Sequence, residues 1–291
     1  MRVLAESQWR ARAADHRERV AAITGPHRER ARRGESHPVL DFLFTYYSPR
    51  PARLERWHPG PGIVLAGAPD APGYRRVDGG IVLDVSERAR RTASFVRDLL
   101  AATASRPPQL SCFGMHEWAM VYRSAEVRHA AWPLRLGSDG ADAVLESLPL
   151  RCTHHDAFRF FTADARPRNA LQPTRTDQRA LEQPGCLHAT MDLYKWAYKL
   201  DPATPSELVA DCLELAVDVR ELDMRASPYD LTALGYEPVR IESPAGRAEY
   251  ATAQAHFAVR AAPLRQRLTD LCDTLLDADE TCPLGDPLAG P

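Results

Sequence analysis

The sequence predicts a mainly α fold with one small β element near residues 60–85. Three observations lead there. Leu208, Val209, Cys212, Leu215, Val219 and Leu222 recur at the spacing of an amphipathic helix. Helix start and stop signals punctuate the chain at Gly34, Ser86-Glu87, Pro107-Pro108 and Thr204-Pro205-Ser206-Glu207. The β-type runs are confined to residues 63–66 and 81–85, both bracketed by glycines.

Residues 6–33 read as an arginine-rich helix that stops at Gly34. His37-Pro-Val-Leu-Asp-Phe-Leu-Phe-Thr-Tyr-Tyr47 is too apolar for the surface and predicts a buried short helix. Pro49, Pro51, Pro59 and Pro61 make the next stretch a turn-rich connector around Trp57-His58. The two β-type runs form a hairpin or ribbon. Ser86-Glu87 then opens a helix to about residue 104, with Val96, Leu99 and Leu100 inward, and Pro107-Pro108 ends it. Residues 109–200 are dense in histidine, cysteine and aromatic residues and lack plain periodicity, which suits a site-bearing region. Thr204-Pro-Ser-Glu207 reads as a capping box with proline at the first helical position, opening a helix to about residue 225. Its polar face carries Glu207, Asp211, Glu214, Asp218 and Glu221 as one acidic stripe, solvated or paired with arginines. A last helix covers residues 244–276 and is expected to bend near Pro263. With no repeat and no low-complexity linker, residues 1–276 are expected to form a single domain and 277–291 a disordered tail.

Composition narrows the function. The chain has 291 residues, 44% hydrophobic and 26% charged, the balance of a globular protein. It has no apolar run near the length of a membrane span, and its start is too charged for a signal peptide, so a cytoplasmic location without membrane partners is expected. Six cysteines in a chain of this size do not make a disulfide framework. The net charge of −2 is polarised: residues 1–60 hold 12 Arg against 7 acidic residues, and residues 201–291 hold 7 Arg against 17. A basic N-terminal segment can follow a phosphate backbone, which makes DNA a candidate partner. It can equally dock on the acidic third of its own or another copy, which makes a homo-oligomer a candidate.

Only two of the 37 basic residues are lysine, Lys195 and Lys199, and they lie four residues apart. On a helix His188, Asp192, Lys195 and Lys199 share one narrow face. Arginine cannot replace a lysine that must lose a proton, form an imine or act as a compact point charge, so this face is the first candidate for chemistry. Three cysteines each precede a histidine closely: Cys112 and His116, Cys152 and His154, Cys186 and His188. Thiolate and imidazole are ligands that zinc, iron and copper accept. Residues 152–161 set His154, His155 and Asp156 beside Phe158, Phe160 and Phe161, and His116-Glu117-Trp118 is similar. An apolar wall moves such acids and bases toward neutrality. The loop from Arg166 to Arg175 is rigid and arginine-bearing, a place to grip an anion.

The phrases His37–Tyr47, Gly114-Met-His-Glu-Trp-Ala-Met-Val-Tyr122, residues 152–162, Gln183-Pro-Gly-Cys-Leu-His188 through Lys199 and Asp223-Met-Arg-Ala-Ser-Pro-Tyr-Asp230 resemble a family of similar-length bacterial proteins labelled 3-methyladenine DNA glycosylase. The resemblance spans about residues 1–276. It implies hydrolysis of the N-glycosidic bond of alkylated purines in DNA, as part of DNA repair and without a cofactor. No catalytic residue follows from it by motif. The chemistry asks for a carboxylate near the sugar and aromatic faces for a cationic base. Asp192 or Asp156 would be that carboxylate, with Lys195 and His188 beside it. Lys199, Arg159, Arg175, Trp118, Trp196, Tyr194 and Phe161 would bind the substrate. The residues also leave open a metal-dependent enzyme on a small molecule, with zinc or iron on His116, His154, His188 and Glu117. A non-catalytic, self-associating binding protein is the third reading.

Overall fold

The computed structural model describes residues 1–124 and 131–277. The expected disordered tail, save Asp277, lies outside the described residues. Eleven α-helices are present among them: α1 (Glu6–Arg33), α2 (Phe42–Thr45), α3 (Pro51–Leu54), α4 (Glu87–Ala104), α5 (Met115–Ala119), α6 (Gly137–Ser147), α7 (His155–Phe158), α8 (Gln178–Leu181), α9 (Leu187–Lys199), α10 (Ser206–Arg225) and α11 (Pro244–Asp277). A small sheet joins β1 (Arg2–Leu4), β2 (Ile63–Ala66), β3 (Tyr74–Val77) and β4 (Gly80–Leu83). The fold is mainly α, as the sequence predicts. No helix among the described residues is long and apolar enough to cross a membrane.

The expected hairpin forms, with Val64 opposite Val82 and Leu65 opposite Ile81. It is part of a larger sheet of order β1-β2-β4-β3, in which β1 runs parallel to β2. The pattern missed the two outer strands because Arg2–Leu4 is only three residues long and Tyr74–Val77 is half polar. Gly80 is required at its position: a Cβ there would sit 2.2 Å from the Leu65 carbonyl oxygen.

Helix α1 ends as expected at Gly34, whose φ of 69° is left-handed. It buries little beyond His16, Val20 and Thr24 and docks by charge on α10. Arg12 pairs with Glu207, and Arg19 with Asp211 and Glu214. Arg267, Arg260 and Arg225 take Asp211, Asp218 and Glu221, so the whole acidic stripe is paired. The capping box at residues 204–207 does not form. Helix α10 starts at Ser206 behind Pro205, and the Thr204 hydroxyl instead donates to the Ala197 carbonyl. Its apolar positions are buried as predicted. Pro263 lies inside α11, which continues through it.

Helix α9 packs along α10, and α11 along α4. Met191, Leu193, Tyr194 and Ala197 of α9 share one large core with Leu213, Ala216 and Val219 of α10 and Leu268 and Leu275 of α11. Helix α9 is therefore enclosed nearly all round. Its polar residues His188 and Asp192, 7% and 1% exposed, go into the interior with it. A buried charge must find partners, and those partners define the site.

Candidate metal centre

Four segments converge on α9. Phe113 and Gly114 both have positive φ (47° and 70°), and this tight turn starts α5 with His116 and Glu117 directed inward and buried. The last turns of α10 supply Arg220 and Asp223, both buried. His154 precedes α7, and Glu182 follows α8; each is 2% exposed.

Two ligand groups result. In the first, one ligand atom each from His116, His188 and Asp223 lies within 4.8 Å of the others; the second, His154, Glu182 and Asp192, meets the same limit. The His188 ring is 4.4 Å from that of His116 and 5.2 Å from that of His154, so the groups adjoin. His116 Nε2 is 2.9 Å from Asp223 Oδ1. That is the length of a charge-assisted contact, and against its burial the Asp223 carboxylate raises His116 well above the ordinary histidine value, although the ring N–H is not aligned on Oδ1. His154 Nε2 is 3.4 Å from both Glu182 Oε1 and Asp192 Oδ2, and neither of its ring nitrogens has a hydrogen-bond partner. The three ligand atoms of each group lie close enough to face one shared ion. Imidazole and carboxylate are the donors that iron and zinc take, so the residues present fit such an ion.

A surrounding shell holds these carboxylates. Arg220 Nη1 donates to Glu117 Oε1 (2.8 Å) and Asp223 Oδ2 (2.6 Å), with its guanidinium over the Phe42 ring. Lys195 Nζ donates to Asp192 Oδ2 at 2.8 Å and Asp156 Oδ2 at 2.9 Å, and the Tyr47 hydroxyl donates to Asp192 Oδ1 at 2.9 Å. Burial acts to raise the Asp223 carboxyl, but His116 and Arg220 outweigh it and hold it well below the usual range. Lys195 and His154 do the same for Asp192. Burial would lower His154, yet Asp192 and Glu182 push it up to about 9. Burial, with the charge of His116, holds His188 well below the ordinary histidine value. It is therefore a neutral imidazole, the form that ligates metals.

Four cavities lie at or beside this core. Phe42, Tyr46, Glu117, Asp156, Phe160 and His188 line a narrow pocket. It shares Phe42 and Tyr46 with a cleft of about 560 Å³ bordered by His37, Asp41, Trp132 and Arg159. A second cleft of about 550 Å³ also contains Asp156 and is basic, with Arg88, Arg91, Arg175, Lys195 and Lys199 around Phe95 and Trp196. A fourth, narrow cavity gathers Cys112, Cys152 and Cys186 beside His116 and His188, so the three cysteines and two of their histidines converge. Burial pushes the Cys152 and Cys186 thiols up, which keeps them protonated.

The sequence-predicted residues are thus sorted. His188 and Asp192 lie at the centre with His116 and His154, while Asp156 and Lys195 link the centre to the basic cleft. Lys199, Arg175 and Trp196 line that cleft. Arg159 sits over the Phe160 ring at 4.4 Å, on the rim of the other. Trp118, Phe161 and Tyr194 are 0%, 3% and 0% exposed and belong to the hydrophobic core rather than a substrate surface. Trp118 spends its indole N–H on the Ala226 carbonyl. Glu117 is outside both ligand groups because Arg220 engages it. Sequence reasoning missed Asp223, Glu182, Arg220 and Tyr47. Asp223 opens one of the quoted phrases and Glu182 immediately precedes another, but nothing local marks either as a ligand. No protein family, curated protein or solved structure matches this chain, so its site is read from its own side chains.

Proposed function

We propose that this chain is a metal-dependent enzyme acting on a small anionic molecule, with iron or zinc held by His116, His188 and Asp223 and a second ligand group on His154, Glu182 and Asp192. The observation that carries this reading is the convergence of one ligand atom each from buried His116, His188 and Asp223 within 4.8 Å, beside a second such group. A bound divalent ion supplies Lewis acidity, polarising an oxygen of the substrate and lowering the pKa of bound water. The chain's own residues do the rest. Arg220 and Lys195 orient the carboxylates from behind, as outer-shell partners do. Phe42, Tyr46 and Phe160 exclude water from the side of His188 that meets the narrow pocket. Asp156, half-buried between that pocket and the basic cleft, is kept ionised against its burial by Lys195 and can accept a hydrogen bond there. Arg175, Lys199 and Arg88 give an anionic substrate its positive surroundings.

Base excision on alkylated DNA, which the sequence resemblance implies, asks for free cations along a duplex. Much of the arginine-rich arm is engaged within the chain: Arg12, Arg19, Arg28 and Arg30 pair with Glu207, Asp211 and Glu214, Glu55 and Asp41. The test is elemental analysis of protein purified without a histidine tag, alongside release of 3-methyladenine from alkylated DNA. The expected result is stoichiometric iron or zinc, lost in His188→Ala and Asp223→Asn, and no base release. A metal-free protein that takes up neither Fe(II) nor Zn(II) sinks the proposal, and base release by that protein replaces it.

A further inference from the structure

A groove on the other side of the 183–186 turn has a different character. Pro184 lines it, whereas Gln183 and Cys186 line the cysteine-bearing cavity. The groove encloses about 600 Å³ between α4 and α11, within the range of small-molecule sites. Its walls are Ala101, Ala104, Leu110, Ala258, Val259 and Ala262, small apolar side chains that leave room between the helices. Val259 is 72% exposed there, an unusual position for a valine.

One cation stands in this apolar lining. Arg265 is 3% exposed. Its Nε and Nη2 are buried without partners, and its side chain makes no hydrogen bond or ion pair with any described residue. The other arginine of the groove, Arg106, is already engaged, since its Nη1 donates to the Ala102 and Glu182 carbonyls. Burial drives the Arg265 pKa down, and the Glu182 carboxylate offsets this only from a distance. A guanidinium taken out of water without a partner is costly. It also presents a planar fork that a carboxylate matches with two parallel hydrogen bonds.

We propose that this groove binds an amphiphilic monocarboxylate, its carboxylate on Arg265 and its hydrocarbon chain along Ala258, Val259 and Ala262. A carboxylate suits the site, because Arg265 is the one cation lining it without a hydrogen-bond partner among the described residues, and its planar fork matches two carboxylate oxygens. A phosphate would bring a second charge into an apolar channel.

The probes are decanoate and decanol, added to the purified full chain in thermal-shift and calorimetric titrations. Decanoate is expected to saturate and raise Tm. Decanol should bind at least about tenfold more weakly, the loss expected for one charge-assisted hydrogen-bonded anchor. Arg265→Met should erase that preference while leaving the ligand-free protein as stable as wild type or more so; an arginine with a structural partner would give the opposite shift in Tm. Ala258→Phe fills a half-exposed part of the groove and should block both ligands; if Arg265→Met fails to fold, this variant and the decanol comparison still decide. Equal affinity for decanol, no saturable binding, or a dimer dissolved by Ala258→Asp would overturn the proposal, the last by assigning the groove to a second copy. None of these outcomes depends on metal at the other site.

Discussion

Replacing Arg220 by methionine tests whether the centre is a dry, charge-paired interior. The Arg220 side chain is 1% exposed, and it bridges Glu117 (6%) and Asp223 (0%). Methionine keeps most of the volume against Phe42 and removes only the charge and the donors. Breaking a buried pair from one side costs about 3–5 kcal/mol, because the remaining carboxylates stay buried without compensation. For a chain of this length that corresponds to a fall in Tm of roughly 6–20 °C, out of a total stability of about 5–15 kcal/mol. Arg19 offers the control. It also holds two acids, Asp211 and Glu214, but its side chain is 36% exposed. Solvent screening limits Arg19→Met to about 1 kcal/mol or less. Urea denaturation of both variants at pH 7, in chelator, measures the contrast. An Arg220→Met loss within about 1 kcal/mol of the Arg19→Met loss would mean that water reaches the centre, and the inference of a buried ligand group of His116, His188 and Asp223 would go with it.

Other predictions follow from the same structure. Saturating Zn(II) or Fe(II) at about 100 times its Kd should stabilise wild type by about 2.7 kcal/mol, read as a rise in Tm that His188→Ala and Asp223→Asn abolish. Asp41 is buried, but Arg30 and His27 hold its carboxyl below the usual range. A depressed carboxylate contributes stability above its unfolded pKa of about 3.9 and loses it as pH falls through the folded value; Asp41→Asn should therefore destabilise at pH 7, and the gap to wild type should narrow as pH falls below the unfolded value. Gly80→Ala should lose about 2–3 kcal/mol in chemical denaturation, because the new Cβ meets the Leu65 carbonyl oxygen at 2.2 Å. If an anion binds in the basic cleft, Lys199→Ala and Arg175→Ala should raise KM for the substrate more than they lower kcat, and inorganic phosphate should protect Lys199 from acylation less well in Arg175→Ala.

Much of the scaffold was legible because helices advertise their faces and ends. The apolar stripe of α10 and the glycine after Arg33 are strong local signals, and both hold. The capping box at residues 204–207 misled because Thr204 had a better use, an interior carbonyl on α9, which only the folded chain brings near. The site was legible in half. Histidines are scarce enough that three of them within a cysteine-rich stretch stand out, and two scarce lysines drew attention to α9. Their carboxylate partners are spread over a sequence with 39 acidic residues, most of which serve surface pairs such as the acidic stripe of α10. Nothing local separates Asp223 from Asp218, five residues earlier, although one is buried at the centre and the other pairs with Arg260 at the surface. The aromatic residues failed in the opposite sense. Trp118, Phe161 and Tyr194 flank candidate acids in sequence, but on enclosed helices the neighbour of a site residue points into the core.

A bound divalent ion at this centre would have to replace protons on its histidines. Glu117, Asp156, Glu182, Asp192 and Asp223 bring five carboxyl groups around α9, against three permanent cations, Lys195, Arg220 and Arg159. In the metal-free protein the carboxylates raise His116 and His154, so that these supply the remaining positive charge. Three imidazoles lie between them, the outer two 4.4 Å and 5.2 Å from His188 by ring centre. Protonating all three would set like charges against one another in a low-dielectric interior, and the central ring is the one held neutral. Imidazolium at the outer two is held by carboxylates that, against burial, raise both rings above the ordinary histidine value. A divalent ion would take the place of those two protons between the same carboxylates and imidazole nitrogens. On that reading the metal removes protons from His116 and His154 as it binds. Its affinity should therefore fall as pH drops through about 9, the value to which Asp192 and Glu182 raise His154. Metal titrations at pH 6, 7.5 and 9 measure this; an affinity that does not change over that range would show that these imidazoles are not the ligands.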